Sequence, residues 1–277
     1  MAEWSEQLSF ERELARAIEL ARLAGAEVAR MQRGELGVEM KQGNEPVTLA
    51  DRRASELIVA GLLESFPADP VISEELPPAP GALGAPRYWL VDPIDGTKDF
   101  IRGEDGYSVM IGLVCDGKPT MGVVYQPAMD RLFQGTPAGS LMTQRGQTTA
   151  LAVSSVTAAS DVRLVASKSH RAAAIDLVKQ ELGIADEINV GSVGVKLCLI
   201  AAGVRDLYVN PVARTKAWDT CAPEAILVPA GGRLSDLFGR PIDYTHELAH
   251  RRGLIASNGL VHDEVIQKLS PLFAHLA

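Results

Sequence analysis

The sequence predicts a fold of the α/β class (α+β in some schemes) built in two halves. Three observations predict it. Apolar positions recur at helical spacing twice before any strand-length run appears. Strand-like segments follow, two of them arranged as a hairpin. Beyond Leu151, strand-like and helical runs alternate, which is the pattern of a sheet covered by helices. The boundary is placed near residue 153, with an N-terminal α+β half over 1–153 and a C-terminal α/β half over 154–277.

In order along the chain, Leu14, Ile18, Ala21, Val28 and Met31 form one face of an amphipathic helix. Thr48-Leu49-Ala50-Asp51 is a capping-box pattern announcing a second helix, with Ala54, Leu57, Ile58 and Leu62 on one face and an end before Pro67. Val71-Ile72-Ser73 reads as a short strand running into Glu74-Glu75. The segment Leu76 to Arg87 holds four prolines and two glycines in twelve residues and reads as a loop. Tyr88-Trp89-Leu90-Val91 is a strand stopped by Asp92-Pro93-Ile94-Asp95-Gly96-Thr97. Ser108 to Cys115 and Met121 to Tyr125 form a hairpin around Asp116-Gly117-Lys118-Pro119. In the second half, strands are expected at Leu164 to Ala166, Ile188 to Val190, Leu207 to Val209 and Leu254 to Ala256. Helices are expected at Ala172 to Leu182, Val195 to Ala202 and Thr220 to Pro229.

Composition narrows the function. The 277 residues are 47% hydrophobic and 22% charged, close to globular averages, which argues against disorder, collagen-like repetition and coiled coil. Twenty-seven Lys and Arg against 35 Asp and Glu give a formal charge of −8, opposing non-specific attraction to nucleic acid or anionic membrane. An anionic substrate would need local help, and metal ions held by clustered carboxylates are one source of it. Three cysteines without C-x-x-C spacing fit neither a disulfide framework nor a zinc ribbon. The acidic start lacks the pattern of a signal peptide, and no run reaches the roughly 18 apolar residues of a membrane span. An unexported cytoplasmic protein is expected.

The chemistry concentrates at strand and helix ends. Asp92 and Asp95, three apart, flank a proline that stiffens the turn, and Gly96 lets the backbone approach a ligand. Two such carboxylates can converge on one ion, while Gly96 and Thr97 can offer N–H groups to an anion. A plain surface turn is the alternative. Glu74 and Glu75 end another strand, and Asp219 is placed at the N-cap of the Thr220 helix. Taken singly, these acids read as a solvated loop, a helix cap and, for Asp51, a capping-box partner. Together with Asp92 and Asp95 they favour a hard-metal cluster.

The string Trp89-Leu90-Val91-Asp92-Pro93-Ile94-Asp95-Gly96-Thr97 resembles the magnesium-dependent, lithium-sensitive phosphomonoesterase superfamily of inositol monophosphatases, bisphosphate nucleotidases and fructose bisphosphatases. The upstream Glu74-Glu75, the Pro46 to Asp51 segment and the distal Trp218-Asp219 with Ala230-Gly231-Gly232 resemble it too, in family order from about Lys41 to Tyr244. The resemblance implies a layered α-β-α-β-α sandwich of the sugar-phosphatase type and two or three Mg²⁺ ions. It implies Glu74, Asp92, Asp95, Asp219 and the Ile94 carbonyl as metal ligands, with Glu75 supporting them. Asp51 and Thr97, with Glu74, match the groups that orient and activate the attacking water. Asp95, Gly96, Thr97 and Asp219 match substrate-contacting positions. Lys41 lies near the place of an active-site lysine in some relatives.

Within the superfamily, Lys98-Asp99-Phe100-Ile101, Ser167-Lys168-Ser169-His170 and Gly191-Ser192 to Lys196-Leu197-Cys198-Leu199 resemble the 3′(2′),5′-bisphosphate nucleotidases. Gly191, Ser192, Lys168, His170 and Lys196 are thereby implied as substrate-binding, the three cations at a second phosphate. A doubly phosphorylated substrate needs such cations beyond a metal site. Surface decoration is the alternative for Lys168 and His170, and snorkelling from a helix for Lys196. Pro223, expected in the first turn of its helix, departs from the small residues of many relatives. The implied reaction is hydrolysis of adenosine 3′,5′-bisphosphate to AMP and phosphate, with a place in sulfur assimilation. Hydrolysis of inositol 1-phosphate or a related sugar phosphate is the runner-up. A cation-binding regulatory protein and a nucleic-acid module are the other classes weighed, and the charge of −8 opposes the latter. The expected partner is a small phosphate ester, for a monomer or homodimer.

Overall fold

The computed structural model of the chain describes residues 10–41, 45–168 and 173–277. Helix α1 (Glu11–Met31) turns Ala17, Leu20, Ala21, Ala24 and Val28 inward, a stripe of mostly small side chains that allows close packing. A short antiparallel pair, β1 (Glu39–Met40) and β2 (Pro46–Val47), leads into α2 (Leu49–Ser65). The capping box at its start forms as expected. The Thr48 N–H donates to Asp51 Oδ2 at 2.8 Å, and the Asp51 N–H donates to Thr48 Oγ1 at 3.4 Å.

Strand β3 (Val71–Ser73) pairs in parallel with β4 (Arg87–Asp95), and the short helix α3 (Thr97–Ile101) follows. An antiparallel meander continues through β5 (Ser108–Cys115), β6 (Lys118–Gln126), β7 (Arg131–Thr136), β8 (Gly139–Gln144) and β9 (Gln147–Ala150), completing a seven-stranded sheet. The β5–β6 turn has φ of 47° at Asp116 and 73° at Gly117, both left-handed as a tight hairpin requires. Along β4, Trp89 and Val91 face α1 and α2, whereas Tyr88 and Leu90 face the opposite side.

The second half is built from β10 (Leu164–Ser167), α4 (Ala174–Leu182), β11 (Glu187–Val190), α5 (Val193–Ala201), β12 (Leu207–Asn210), α6 (Ala217–Leu227), β13 (Arg233–Ser235), β14 (Leu254–Ser257) and α7 (His262–Leu269). Its five-stranded sheet runs β11-β10-β12-β14-β13, parallel through the first three and antiparallel at β14 and β13. Helices α5 and α6 lie between the sheets, where Leu197 and Ile226 join one core with Met110 and Phe133 of the first sheet and Val165 and Ala256 of the second. Helices α4 and α7 cover the outer face through Ile175, Val178, Val265 and Leu269. The layers are therefore α-β-α-β-α, as the sequence resemblance implies. The two sheets divide between Ala150 and Leu164, and α5 and α6 serve both.

A row of glycines places α6. Gly112, Gly122 and Gly135 stand side by side on β5, β6 and β7. A Cβ at Gly122 would fall 2.1 Å from the Ala222 carbonyl, and one at Gly135 would fall 2.3 Å from that of Ala225. The bare backbone forms a trough for α6, which fixes where its first turn points.

Some expectations change. Helix α6 starts at Ala217, so Asp219 is not its N-cap but sits in its first turn, its carboxylate accepting from the Lys216 N–H at 2.6 Å. Pro223 lies inside α6 rather than in the first turn, and its missing N–H leaves the Asp219 carbonyl without its helical partner. Strand β4 extends through Asp95, with a register shift between Asp92 and Asp95 that accommodates Pro93. Strands β7 to β9 have no counterpart among the sequence expectations.

Candidate active site

The end of β4, the turn into α3, the C-terminal ends of β10 and β12 and the first turn of α6 surround a cavity of about 180 Å³. Asp92, two and four residues beyond Leu90 and Tyr88 on the same face of β4, points toward α6. Asp219 comes from α6 to meet it. Together with Asp95 they place carboxylate oxygens that all lie within 4.8 Å of one another. Glu74, just past β3, lines the same cavity, as do Ile94, Gly96 and Thr97.

Each acid is held by local structure. Asp92 Oδ1 accepts from the Ile94 N–H at 3.0 Å. Asp95 Oδ2 accepts from the Ser192 hydroxyl at 2.6 Å and the Gly194 N–H at 2.8 Å. Ser192 is also the N-cap of α5, its Oγ accepting from the Val195 N–H at 2.9 Å, so one residue ties the metal-type acid to a helix start. Gly96 adopts φ of 95°, and a Cβ there would meet the Gly106 carbonyl at 3.0 Å and the Ser192 nitrogen at 3.2 Å, so glycine alone fits this turn. Asp51 Oδ2 is taken by Thr48, leaving Oδ1 to face the Thr97 hydroxyl at 3.2 Å. Thr97 Oγ1 is also 3.0 Å from the Ile94 carbonyl.

The electrostatics are one-sided. Burial pushes the Asp92 and Asp219 carboxyls well above the usual range, and their acidic neighbours, including Glu74 and Asp95, push them further. Burial also raises Asp95, against the opposing pull of Lys196 and its hydrogen bonds, and raises Glu74 against Lys41. Asp51 is raised to about 6 by burial, partly offset by its bonds from Thr48. Buried carboxylates this close are costly unless a cation joins them. All-oxygen donors of this kind suit a hard divalent ion, and the residues present fit one.

The remaining expected residues fall in different places. Lys41 donates to Glu74 Oε1 at 2.9 Å and bonds Glu75, whose charges outweigh burial and raise its pKa. Gly191 lines the cavity. Lys196, expected at a second phosphate, is instead fully buried in α5. Its ammonium donates to the Gly191 carbonyl at 2.7 Å and the Val190 carbonyl at 3.1 Å and lies 5.2 Å from the centre of the Tyr208 ring, with burial lowering its pKa to about 8. The reason is physical: every other residue of α5 is apolar or glycine and the helix is buried on all sides, so the lysine has no route to the surface. Lys168 pairs with Glu104 at 2.7 Å and lines a different depression. His170 lies outside the described residues. Cys198 and Cys221 are buried.

Sequence reasoning missed the far flank of the cavity, formed by Tyr208, Asn210, Arg214, Thr215 and Lys216. The available signal was positional. Ligand groups in open α/β sheets gather beyond the C-terminal ends of strands, and these residues follow β12.

The profile of the inositol monophosphatase family matches residues 11–272. The chain belongs to the inositol monophosphatase family. Among curated relatives, the chain is similar to the 3′(2′),5′-bisphosphate nucleotidase CysQ of Escherichia coli (strain K12), with 37% identity over 82% of this chain and 92% of that protein. It is also similar to a histidinol-phosphatase of Mycobacterium tuberculosis, with 33% identity over 85% of this chain and 89% of that protein. Among solved structures, the inositol monophosphatase of Thermotoga maritima superposes with a TM-score of 0.80 at 26% identity, covering 96% of this chain and 99% of that one. As a member of this metal-dependent family the chain is a phosphatase, and a small phosphate ester is consistent with its cavity. Among the described residues no helix is long and apolar enough to cross a membrane.

Proposed function

We propose that this family member is a Mg²⁺-dependent phosphomonoesterase that converts adenosine 3′,5′-bisphosphate and water to AMP and phosphate. The observation that carries the reading is the meeting of Asp92, Asp95 and Asp219 within 4.8 Å, beside the Asp51–Thr97 pair. Glu74, these three acids and the Ile94 carbonyl would hold two or three ions. Bound there, Mg²⁺ supplies charge neutralisation of the phosphate dianion, acidification of a water and stabilisation of the leaving alkoxide.

The chain's own residues do the rest. Thr97 Oγ1, set between Asp51 Oδ1 and the Ile94 carbonyl, is placed to orient the attacking water and pass its proton toward Asp51. At neutral pH Asp51, with its pKa near 6, is mostly ionised and able to accept. Gly96, which alone fits the left-handed turn packed against Gly106 and Ser192, sets the turn from which the Gly96 and Thr97 N–H groups would meet a phosphate. Glu75 and Lys41 brace Glu74 from behind. Ser192 keeps Asp95 aimed, and Lys196 steadies Gly191 from beneath.

Support for the nucleotide as substrate comes from the CysQ relatives, which span most of their own length on this chain. The histidinol-phosphatase relative and the inositol monophosphatase fold keep inositol 1-phosphate as the second reading. Phosphate release should be measured with Mg²⁺ on adenosine 3′,5′-bisphosphate, inositol 1-phosphate and fructose 1,6-bisphosphate at equal concentration, with Asp95→Asn as the blank. Preference for the nucleotide, lost in the variant, supports the proposal. Preference for inositol 1-phosphate keeps the mechanism and discards the substrate. Lithium in the same assay tests the inhibition expected of the family, and a nucleotide preference would fit a role in sulfur assimilation.

A further inference from the structure

Among the described residues, four buried side-chain polar atoms lack a hydrogen-bond partner: Asp99 Oδ1, Tyr208 Oη, Thr215 Oγ1 and Arg205 Nε. Asp99, Tyr208 and Thr215 all line the active-site cavity. They are 1%, 1% and 5% exposed, so solvent does not satisfy them by default. Ser167 and Asn210 lie near the Tyr208 hydroxyl without a hydrogen bond to it. Buried hydroxyls are normally paired, and such a concentration of orphans in one cavity marks the surface a ligand completes.

The charges on the same flank say what kind of ligand. The other cations around the site are already engaged: Lys41 with Glu74 and Glu75, Lys168 with Glu104, Lys196 with two backbone carbonyls, and Lys98, which also lines the cavity, with a partner of its own. Arg214, exposed on the connection between β12 and α6, and the half-buried Lys216 also line the cavity, and neither has an acidic partner among the described residues. On a chain of net charge −8, two uncommitted cations beside two orphaned hydroxyl donors form a setting for an anion.

We infer that Tyr208, Arg214, Thr215 and Lys216 form a specificity subsite that receives a second phosphate carried by the substrate, beyond the phosphate that is cleaved. Arg214 and Lys216 supply the charge, and the Tyr208 and Thr215 hydroxyls donate to the same group or its attachment. This rests on the bisphosphate reading and moves the recognition of the second phosphate from Lys168, His170 and Lys196 to the β12–α6 connection. Asp99 Oδ1, at the wall beside Gly106 and Gly191, has the Arg102 guanidinium 3.8 Å away and takes no part in this subsite.

The test compares kcat/KM for adenosine 3′,5′-bisphosphate and for 3′-AMP, which differ only in the 5′-phosphate. In Arg214→Ala and Lys216→Ala the loss on the bisphosphate is expected to be about 10- to 100-fold and to reside in KM, exceeding the loss on 3′-AMP by about tenfold or more. Arg214→Lys should recover part of it, and Tyr208→Phe should show a smaller loss of the same sense. Equal effects on both nucleotides would overturn the subsite. If neither nucleotide is hydrolysed but inositol 1-phosphate is, the nucleotidase reading fails separately. Adenosine 3′,5′-bisphosphate is then measured as a competitive inhibitor. A Ki raised about tenfold in Arg214→Ala upholds the subsite, and an unaltered Ki overturns it.

Discussion

Two buried carboxylate sites, one at the cavity and one at the foot of β12, show opposite uses of the same chemistry. Asp206 is surrounded by donors: the Arg163 N–H at 2.7 Å, its Nε at 2.8 Å and Nη2 at 2.9 Å, and the Ser154 hydroxyl at 2.5 Å. Burial alone would raise its pKa, but these bonds outweigh burial and lower it. Asp92 is buried too and Asp219 half-buried, yet each accepts a single backbone N–H and otherwise faces other acids, so desolvation and repulsion raise them well above the usual range. A carboxylate whose partners are built into the chain ties the structure together. One whose partners are missing is kept for something that binds.

The largest effect expected from this contrast is on turnover. Asp92→Asn should reduce kcat/KM by about a thousandfold, equivalent to about 4 kcal/mol of transition-state stabilisation, read by phosphate release with Mg²⁺. Asp206→Asn should do the reverse: turnover at 25 °C is retained by the folded fraction while urea unfolding shows a loss of about 3 kcal/mol, because Arg163 and Ser154 lose their acceptor. A stability loss from Asp92→Asn as large as that from Asp206→Asn would erase the distinction.

A third acid sharpens it. Glu224, on α6 beyond Asp219, accepts from the Tyr244 hydroxyl at 2.5 Å, and Tyr244, Thr220 and His250 continue the chain at 3.0 and 2.8 Å. Burial raises Glu224 from 4.5 to about 7, opposed by the Tyr244 bond. Its folded pKa lies above its unfolded value, so the folded state holds the extra proton between these values. The stability it contributes is complete below about pH 4.5 and lost as pH rises through about 7, by about 3 kcal/mol. Glu224→Gln should flatten that part of the stability profile, and an unchanged slope between pH 5 and 8 would place the titration elsewhere. The smallest effect is on the metal-free protein: Asp92→Asn should raise its unfolding free energy by about 1 kcal/mol, since it removes one repelling charge.

Much of the metal-type site was legible because its residues are adjacent in sequence and chemically uniform. Asp92, Asp95, Gly96 and Thr97 lie in one turn, and the capping box that names Asp51 also fixes its position. The five-layer order was legible from the resemblance. What escaped depends on neighbours that the chain brings together late. Gly112, Gly122 and Gly135 read as ordinary strand glycines until strand register aligns them under α6. Strands β8 and β9 form the sheet's edge with mostly exposed or half-buried residues, so they carry little apolar alternation. Tyr208 and Arg214 acquire a role only where β12 ends against the cavity. Lys196 is instructive: a lysine inside Val-Gly-Val-Lys-Leu-Cys-Leu-Ile-Ala announces burial as plainly as it suggests a phosphate ligand, and burial is what the structure shows.

The central claim is that the unpartnered acids are a divalent-cation site, and thermal unfolding with and without Mg²⁺ tests it without reference to substrate. A ion that binds only the folded state raises Tm with concentration. The account predicts that Mg²⁺ raises the Tm of the wild-type protein and of Asp206→Asn alike, but has much less effect on Asp92→Asn. A wild-type Tm that ignores Mg²⁺, or an equal rise in Asp92→Asn, would contradict it.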